Sequence, residues 1–182
     1  MKIGIDISQV VHEKTGVAKY VQELVTSIVT NDKKNSYVLF GTSLRKQDSL
    51  RTFVQKMKTL NPNVSSCIIS IPPTLLDVLW NQLHIMPIQL FTGALDVFWS
   101  SDWTQPPLGK TKGITTIHDL SFYHFPESFD QTIMSVQKRR LKHATQECQQ
   151  FLCDSEATKK DVEKFLKIDS KRLTVIYPGF SS

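Results

Sequence analysis

Seven short runs rich in β-branched and aromatic residues recur along the 182 residues, and amphipathic stretches of helical period separate most of them. The runs are KIGIDI (2–7), YVLFG (37–41), SSCIISI (65–71), DVFWSS (96–101), GITTIHD (113–119), QFLCDS (150–155) and LTVIYPG (173–179). After the first, Val17, Tyr20, Val21, Leu24, Val25 and Ile28 form one helical stripe. Leu50, Phe53, Val54 and Met57 form a second, with Asp48 as the expected N-cap. Helices are also expected over 74–91, over 129–147 and after Ser155, which caps a segment carrying Ala157, Val162, Phe165 and Leu166. Regular alternation of this kind leaves few solutions. It specifies an α/β fold, a doubly wound, mostly parallel Rossmann-like sheet of about seven strands with helices on both faces. With no linker, repeat or low-complexity tract, residues 1–182 read as a single domain.

Hydrophobic content of 40% and charged content of 21% exclude a disordered chain. The net charge of +5 suits an anionic ligand or an acidic surface. Its basic runs, KRRLKH (138–143) and Lys159, Lys160 and Lys164, fall on expected helices, as solvated faces or as a surface for anionic lipid or an acidic partner. They lack interleaved aromatics and a docking motif, which argues against nucleic acid. Three cysteines, Cys67, Cys148 and Cys153, make no even framework and no zinc spacing. They point to reduced thiols in a cytoplasmic setting, with Cys67 buried. The N-terminus lacks the apolar core and cleavage site of a signal peptide. The apolar segment 74–91 contains Asp77, Asn81, Gln82, His84, Pro87 and Gln89, too polar for a bilayer span of about 20 apolar residues. It reads as a helix packed on the sheet, or as one lying on a membrane surface.

In an open parallel sheet, ligands bind at the carboxyl ends of the strands, where strand order reverses. Those ends carry the loops SQVVHEKTG, SSDWTQPPLG and HDLSFYHFPE. The segment DWTQPPLGKTKG between strands four and five has no helical period, and a long loop that does without a crossover helix often lines a binding site. Gly16 opens the first helix, where unpaired N–H groups and a partial positive charge suit a phosphate; a lone glycine is a weak signal, and helix entries often carry one for turn geometry alone. There is neither a G-x-G-x-x-G turn nor a Walker pattern. His118 reads as a hydroxyl-binding or proton-carrying group, or as a histidine tied down by its neighbours. Asp119 either orients that imidazole, contacts a ligand or caps the loop that follows. His124 reads as a packing residue, and His12 as facing the crevice from the first loop.

These same stretches carry a resemblance. MKIGIDIS, TGVAKYVQELV, DVFWSSDWTQPP, TTIHDLSFYHFPESF, FLCDSEATKKDVEKFL and LTVIYPGF, in this order and spacing, resemble the amino-terminal domain of family 4 glycosyltransferases along essentially the whole chain. The resemblance implies a retaining, hexosyltransferase-like enzyme of GT-B fold, in which two Rossmann-like domains face each other across a cleft. The first domain shapes the acceptor site; the second holds the nucleotide-sugar and a Glu-x7-Glu motif. That C-terminal donor-binding domain is absent from residues 1–182, so the chain is expected to be inactive alone. A helix terminus contributes about 0.3–1 kcal/mol toward an anion, whereas millimolar affinity needs about 4 kcal/mol.

By the same resemblance, Gly16 approaches the donor phosphates through its amide and His118 helps to position the transferred sugar. Asp119 supports that histidine or touches the acceptor. His12, Asp102 and Trp103 are candidates to line the acceptor site, and Ser155 caps a helix. The implied partners are a nucleotide-sugar donor, a hydroxyl acceptor and the C-terminal donor domain. No resident cofactor or metal is implied, because the nucleotide-sugar enters as substrate. A peripheral contact at the inner face of the membrane is the further expected partner. The sequence departs from the family at Gly16-Val17-Ala18-Lys19-Tyr20, where the family pattern resembles Gly-Ile-Gly-Arg-Tyr. A second reading is a stand-alone binding module that pairs with a separate donor-binding chain or an anionic membrane surface. A sugar-nucleotide epimerase, which shares the fold, is a third.

Overall fold

The computed structural model describes residues 1–12 and 14–179. Glu13 of the first loop and Phe180, Ser181 and Ser182 of the VIYPGF ending lie outside the described residues. The seven strands are β1 (Lys2–Asp6), β2 (Ser36–Thr42), β3 (Val64–Ile69), β4 (Val97–Ser100), β5 (Lys112–Ile117), β6 (Cys148–Cys153) and β7 (Leu173–Val175). They form one sheet in the order β3-β2-β1-β4-β5-β6-β7, and every neighbouring pair is parallel. The chain winds outward from β1 to β3, crosses back to lay β4 beside β1, and winds outward the other way. The switch point therefore lies beyond the carboxyl ends of β1 and β4.

The helices are α1 (Gly16–Asn31), α2 (Gln47–Leu60), α3 (Pro73–Leu76), α4 (Gln89–Thr92), α5 (Ser121–His124), α6 (Gln131–Glu147) and α7 (Glu156–Asp161). Helix α3 runs on as a π-helical stretch, Asp77–Gln82, and α7 as Val162–Leu166. Strands buried on both faces read as near-continuous apolar runs, and their pleat sends alternate residues to opposite sides. Tyr37 and Leu39 face a core with Val21, Val25, Leu50 and Met57 of α1 and α2. Val38 and Phe40 face the other, with Trp80, Ile88, Leu141 and Phe151. Among the described residues no helix is long and apolar enough to cross a membrane.

Several boundaries depart from those read in the sequence. The segment 74–91 is not one helix. It stops after Gln82, because His84 and Met86 take left-handed backbone conformations (φ 51° and 63°) and Pro87 cannot continue a helix. A left-handed non-glycine residue is disfavoured by about 1–2 kcal/mol. The turn is held from both sides: the Trp80 indole donates to Met86 O at 3.0 Å, and the His84 ring bridges Trp80 O (2.9 Å) and Glu147 Oε1 (3.0 Å). Helix α2 starts after Lys46, whose side chain makes no capping bond, and Asp48 lies inside its first turn, where it still complements the dipole. Cys67 is half-buried rather than buried. Strand β7 ends at Val175, and β5 ends one residue before His118.

As the sequence implied, β4 reaches β5 without a helix. The connection instead borrows its hydrogen bonds from elsewhere. Gln105 N donates to Asn81 Oδ1 (3.0 Å), Leu108 N to Glu147 Oε2 (3.1 Å) and the Thr111 hydroxyl to Leu95 O (3.0 Å). Leu108 is drawn so close to the sheet that only glycine fits beneath it. A Cβ on Gly113 would sit 2.4 Å from Leu108 Cδ1 and 2.9 Å from Cys148 Cα, which is backbone. Gly113→Ala is therefore expected to destabilise the fold by about 1–3 kcal/mol. Urea denaturation should show a lowered midpoint at unchanged slope; a midpoint equal to that of the parent chain would mean that β6 can shift freely.

Candidate functional site

The carboxyl edge of the sheet holds a cavity of about 180 Å³. Its mouth and walls come from Val17 at the start of α1, Asp102 after β4, Thr116 to Leu120 at the end of β5, Phe122 and Phe129, and the inner face of α6. Phe122, Phe129, Ile133, Met134 and Leu141 make that wall apolar, while Arg140, Asp102 and His118 supply the polar groups.

Arg140 lies on the buried stripe of α6 with Met134, Leu141 and Ala144 and is 2% exposed. Its Nη2 donates to Ser101 O (2.9 Å), to Thr116 O (3.2 Å) and to the Thr115 hydroxyl. One guanidinium thus fastens the tips of β4 and β5 together. Burial pulls the guanidinium pKa down, and the nearby Asp102 charge opposes that shift. Gln137 Nε2 donates to Asp102 O at 2.9 Å and holds the loop from the same helix.

His118 follows β5 directly. Register places Ile117 beside Cys153, so the next residues, His118 and Asp154, also meet. His118 Nδ1 lies 2.7 Å from Asp154 Oδ2, with the two side chains 16% and 20% exposed. A carboxylate only accepts, so Nδ1 carries the proton and Nε2 is left for the cavity. The Tyr20 ring of α1 stands edge-on to the imidazole at 5.1 Å, and Thr158 donates to His118 O at 3.1 Å. The ring is thus held by Tyr20 of α1 and by Asp154 just after β6, and α7 holds the main chain beneath it. Asp119 is not the carboxylate that orients it. Its Oδ1 accepts from Ser121 N at 2.9 Å and caps the following turn, and the residue lines the cavity.

Thr15 caps α1, accepting from Ala18 N at 3.2 Å. The amides of Gly16 and Val17 have no intrahelical carbonyl to meet. A Cβ added at Gly16 would find nothing within 4 Å. His12 lies apart from His118, in a second, open groove of about 500 Å³ with Lys14, Thr15, Lys46 and Ser49. Trp103 is exposed; its carbonyl accepts from Asn81 Nδ2 at 2.9 Å, and the residue is not part of the first cavity. Ser155 caps α7 by accepting from Thr158 N (3.1 Å), as its sequence position suggested. His124 packs edge-on to Phe165 at 4.9 Å and also meets Asp161 Oδ1 at 2.9 Å.

Three groups escaped the sequence reading. Asp154 follows the last residue of β6, and its signal was the matching -HD and -DS ends of neighbouring strands. Arg140 was hidden inside a basic run, although it keeps helical spacing with Ala144, four residues on. Asp6 ends β1 at 4% exposure; its Oδ1 accepts from Ser8 N (2.8 Å) and the Ser8 hydroxyl (2.6 Å). Burial pushes the Asp6 carboxyl up, and Ser8 partly counters it. The thiols are poor nucleophiles: burial pushes Cys148 up to about 12 and Cys153 up to about 11. Among the described residues no group of three or more His, Cys, Asp or Glu side chains could hold a metal ion.

Removing the Asp154 carboxylate should release the imidazole. In Asp154→Ala, the slowly exchanging Nδ1 proton of His118 should vanish from ¹⁵N-edited ring spectra, at a stability loss of about 1 kcal/mol. A protected Nδ1 proton in the variant would show that other neighbours fix the tautomer.

The sequence matches Glycosyltransferase Family 4 over residues 15–181. No curated protein matches it. Among solved structures, a short-chain dehydrogenase from Oenococcus oeni PSU-1 is similar at a TM-score of 0.42 and 9% identity, over 99% of this chain and 80% of that one. A likeness at that score adds nothing to what the strand order already shows.

Proposed function

This chain belongs to glycosyltransferase family 4, and we propose that it is the acceptor-side domain of a retaining enzyme that moves a sugar, a hexose, from a nucleotide-sugar to a hydroxyl acceptor. One observation carries the reading: Val17, next to Gly16 at the start of α1, and His118, at the end of β5, line a single cavity. A donor phosphate brought to the α1 terminus and a sugar brought to the imidazole would therefore be neighbours.

In the proposed reaction the bond from the anomeric carbon to the phosphate oxygen breaks and a bond to the acceptor oxygen forms. The hydroxyl proton leaves with the departing nucleotide phosphate, and the anomeric configuration is kept. His118, held by Asp154, orients the transferred sugar through Nε2 and does not attack it. The amides at the α1 terminus meet the phosphate charge. The partner half is a donor-binding domain facing this edge, in the same polypeptide or another chain, and closure of the two would align the substrates and exclude water. Residues 1–182 turn over nothing by themselves in this reading, and the setting is cytoplasmic.

In an enzyme assembled with its donor domain, His118→Ala should lower kcat at least about 100-fold while its melting temperature stays near that of the parent. Gly16→Ala should leave stability unchanged or raised by about 0.4–1 kcal/mol, yet raise KM for the donor. Turnover and stability falling together in His118→Ala would make the histidine a structural residue and end this assignment.

A second reading, a binding module that docks on an anionic membrane, is favoured by the net charge of +5 together with one apolar surface. Leu75, Val78, Leu83, Ile85, Met86 and Leu90 are all exposed, and residues 78–95 contain no Asp, Glu, Lys or Arg. Flotation with anionic vesicles at low and high salt separates the readings. Salt-sensitive binding that Leu83→Ser with Leu90→Ser abolishes would support the membrane contact, and no flotation at low salt would remove it.

A further inference from the structure

Two histidines that do not line the strand-end cavity meet at the turn that ends α3. The His84 and His143 rings stack at 3.7 Å between centroids and 3° between planes. His84 follows the π-helical stretch Asp77–Gln82, and His143 lies on α6. Both ring nitrogens of His84 face oxygens that accept: Nδ1 lies 2.9 Å from Trp80 O and Nε2 lies 3.0 Å from Glu147 Oε1. A neutral imidazole has one N–H and satisfies only one of them. The proton shared with Glu147 rests on the imidazole, since free histidine is the stronger base (about 6.5 against about 4.3). The other carboxylate oxygen already accepts from Leu108 N at 3.1 Å. His84 is therefore an imidazolium. His143 needs a single proton, because its Nε2 donates to Asn81 O at 3.1 Å. The stack thus holds one charge, and a second would face the first across 3.7 Å.

The charged groups around the stack are few. His84 faces it from the turn, and Glu147 and Lys142 from α6. Asp77, at the start of the π-helical stretch, is paired with Arg139 at 2.9 Å. Lys110 and Lys112, before and at the start of β5, are exposed. The buried Cys148 thiol, pushed up to about 12, stays neutral beside Glu147. Burial first, and the His84 charge second, push His143 down from the ordinary histidine value; Asn81 O and Glu147 oppose them, and Lys142 adds to them. The unfolded chain therefore takes up the second His143 proton more readily than the folded one. The stack's contribution is whole above about pH 6.5 and is lost as pH falls through the lowered folded value.

The backbone decides which side yields. His143 is fixed on a 17-residue helix. His84 and Met86 hold left-handed conformations (φ 51° and 63°) that residues other than glycine disfavour. Local preference opposes this turn, and the tertiary bonds of His84 and of the Trp80 indole impose it. The turn carries Leu83, Ile85 and Met86, all exposed, and Glu147 joins it to Leu108 of the β4–β5 loop.

We propose that the His84–His143 stack is an acid-released latch: one charge holds the turn 83–87 against α6, and a second proton, taken up by His143, drives His84 off and frees the segment carrying Leu83, Ile85 and Met86. This goes beyond the transferase reading and stands without it.

Ring ¹⁵N spectra and amide exchange on the chain of residues 1–182 test the latch. At pH 7 both His84 nitrogens should carry protons, and His143 should carry one, on Nε2. The Leu83 and Ile85 amides donate to Val78 O and Leu79 O, both at 2.9 Å. From pH 7 to pH 5 their protection, corrected for intrinsic exchange, should fall at least about tenfold with the midpoint of His143 protonation. The Leu39 and Phe40 amides of β2 should keep theirs. His143→Gln, which keeps an N–H for Asn81 O and takes no proton, should abolish the fall. His84→Ala should show low protection at both pH values. A single proton on His84 at pH 7, full protection down to pH 5, a fall that follows another histidine, or an acid response retained by His143→Gln each overturns the proposal. Should His143→Gln fail to fold, the match of the two midpoints in the parent chain decides.

Discussion

A guanidinium taken out of water without a carboxylate in contact is the constraint on which the carboxyl edge depends. Removing a cation from solvent costs several kcal/mol after relaxation, and Arg140 recovers it from three oxygens at the ends of two adjacent strands. Because those oxygens belong to Ser101, Thr115 and Thr116, satisfying the charge also fixes where β4 and β5 end. Asp102 is the next residue after one of them, and His118 stands two beyond another. The cavity is thus a consequence of the clasp: α6 must approach closely enough to insert Arg140, and that approach brings Met134, Gln137 and Leu141 over the strand ends.

The missing crossover helix fits the same picture. A helix between β4 and β5 would satisfy its own backbone. An extended segment cannot, and buried backbone groups must find partners elsewhere. Here Asn81 and Glu147 provide them for Gln105 N and Leu108 N, while Leu95 O takes the Thr111 hydroxyl. Glu147 serves twice, receiving Leu108 N on one oxygen and meeting His84 on the other. The loop that carries Asp102 and the turn that ends α3 therefore share one carboxylate at the end of α6.

The strands were legible because parallel strands covered on both faces appear as uninterrupted apolar runs, and six of the seven need no information beyond their own residues. β7 was overextended because LTVIYPG stays apolar past Val175, where the pairing with β6 stops. The break in 74–91 was not legible for a related reason. The apolar content of LLDVLWNQLHIMPIQLF continues past Gln82, and what ends the helix is a left-handed His84 secured by Glu147, 63 residues away. His118 was legible as the residue where an apolar run opens into polar chemistry. Its partner was not, since choosing Asp154 over the adjacent Asp119 requires knowing that β5 and β6 are neighbours in register. Arg140 shows the limit of reading charge as exposure: the run KRRLKH looks solvated, but on a helix one of its members must face inward.

Glycines give the last step, because the same residue type answers to different demands across this sheet and at its edge. A Cβ at Gly4 would lie 2.5 Å from Leu95 Cδ1 and 2.7 Å from Phe98 Cδ2, and at Gly113 it would strike the neighbouring strand. Packing accounts for both. Gly16 is otherwise: no atom lies within 4 Å of its would-be Cβ, it is not among the residues with positive φ, and as the first residue of α1 it forgoes helix propensity of about 1 kcal/mol relative to alanine. The fold has no use for a glycine there. What the missing side chain does provide is bare backbone at a helix terminus, one residue from the cavity that His118 closes.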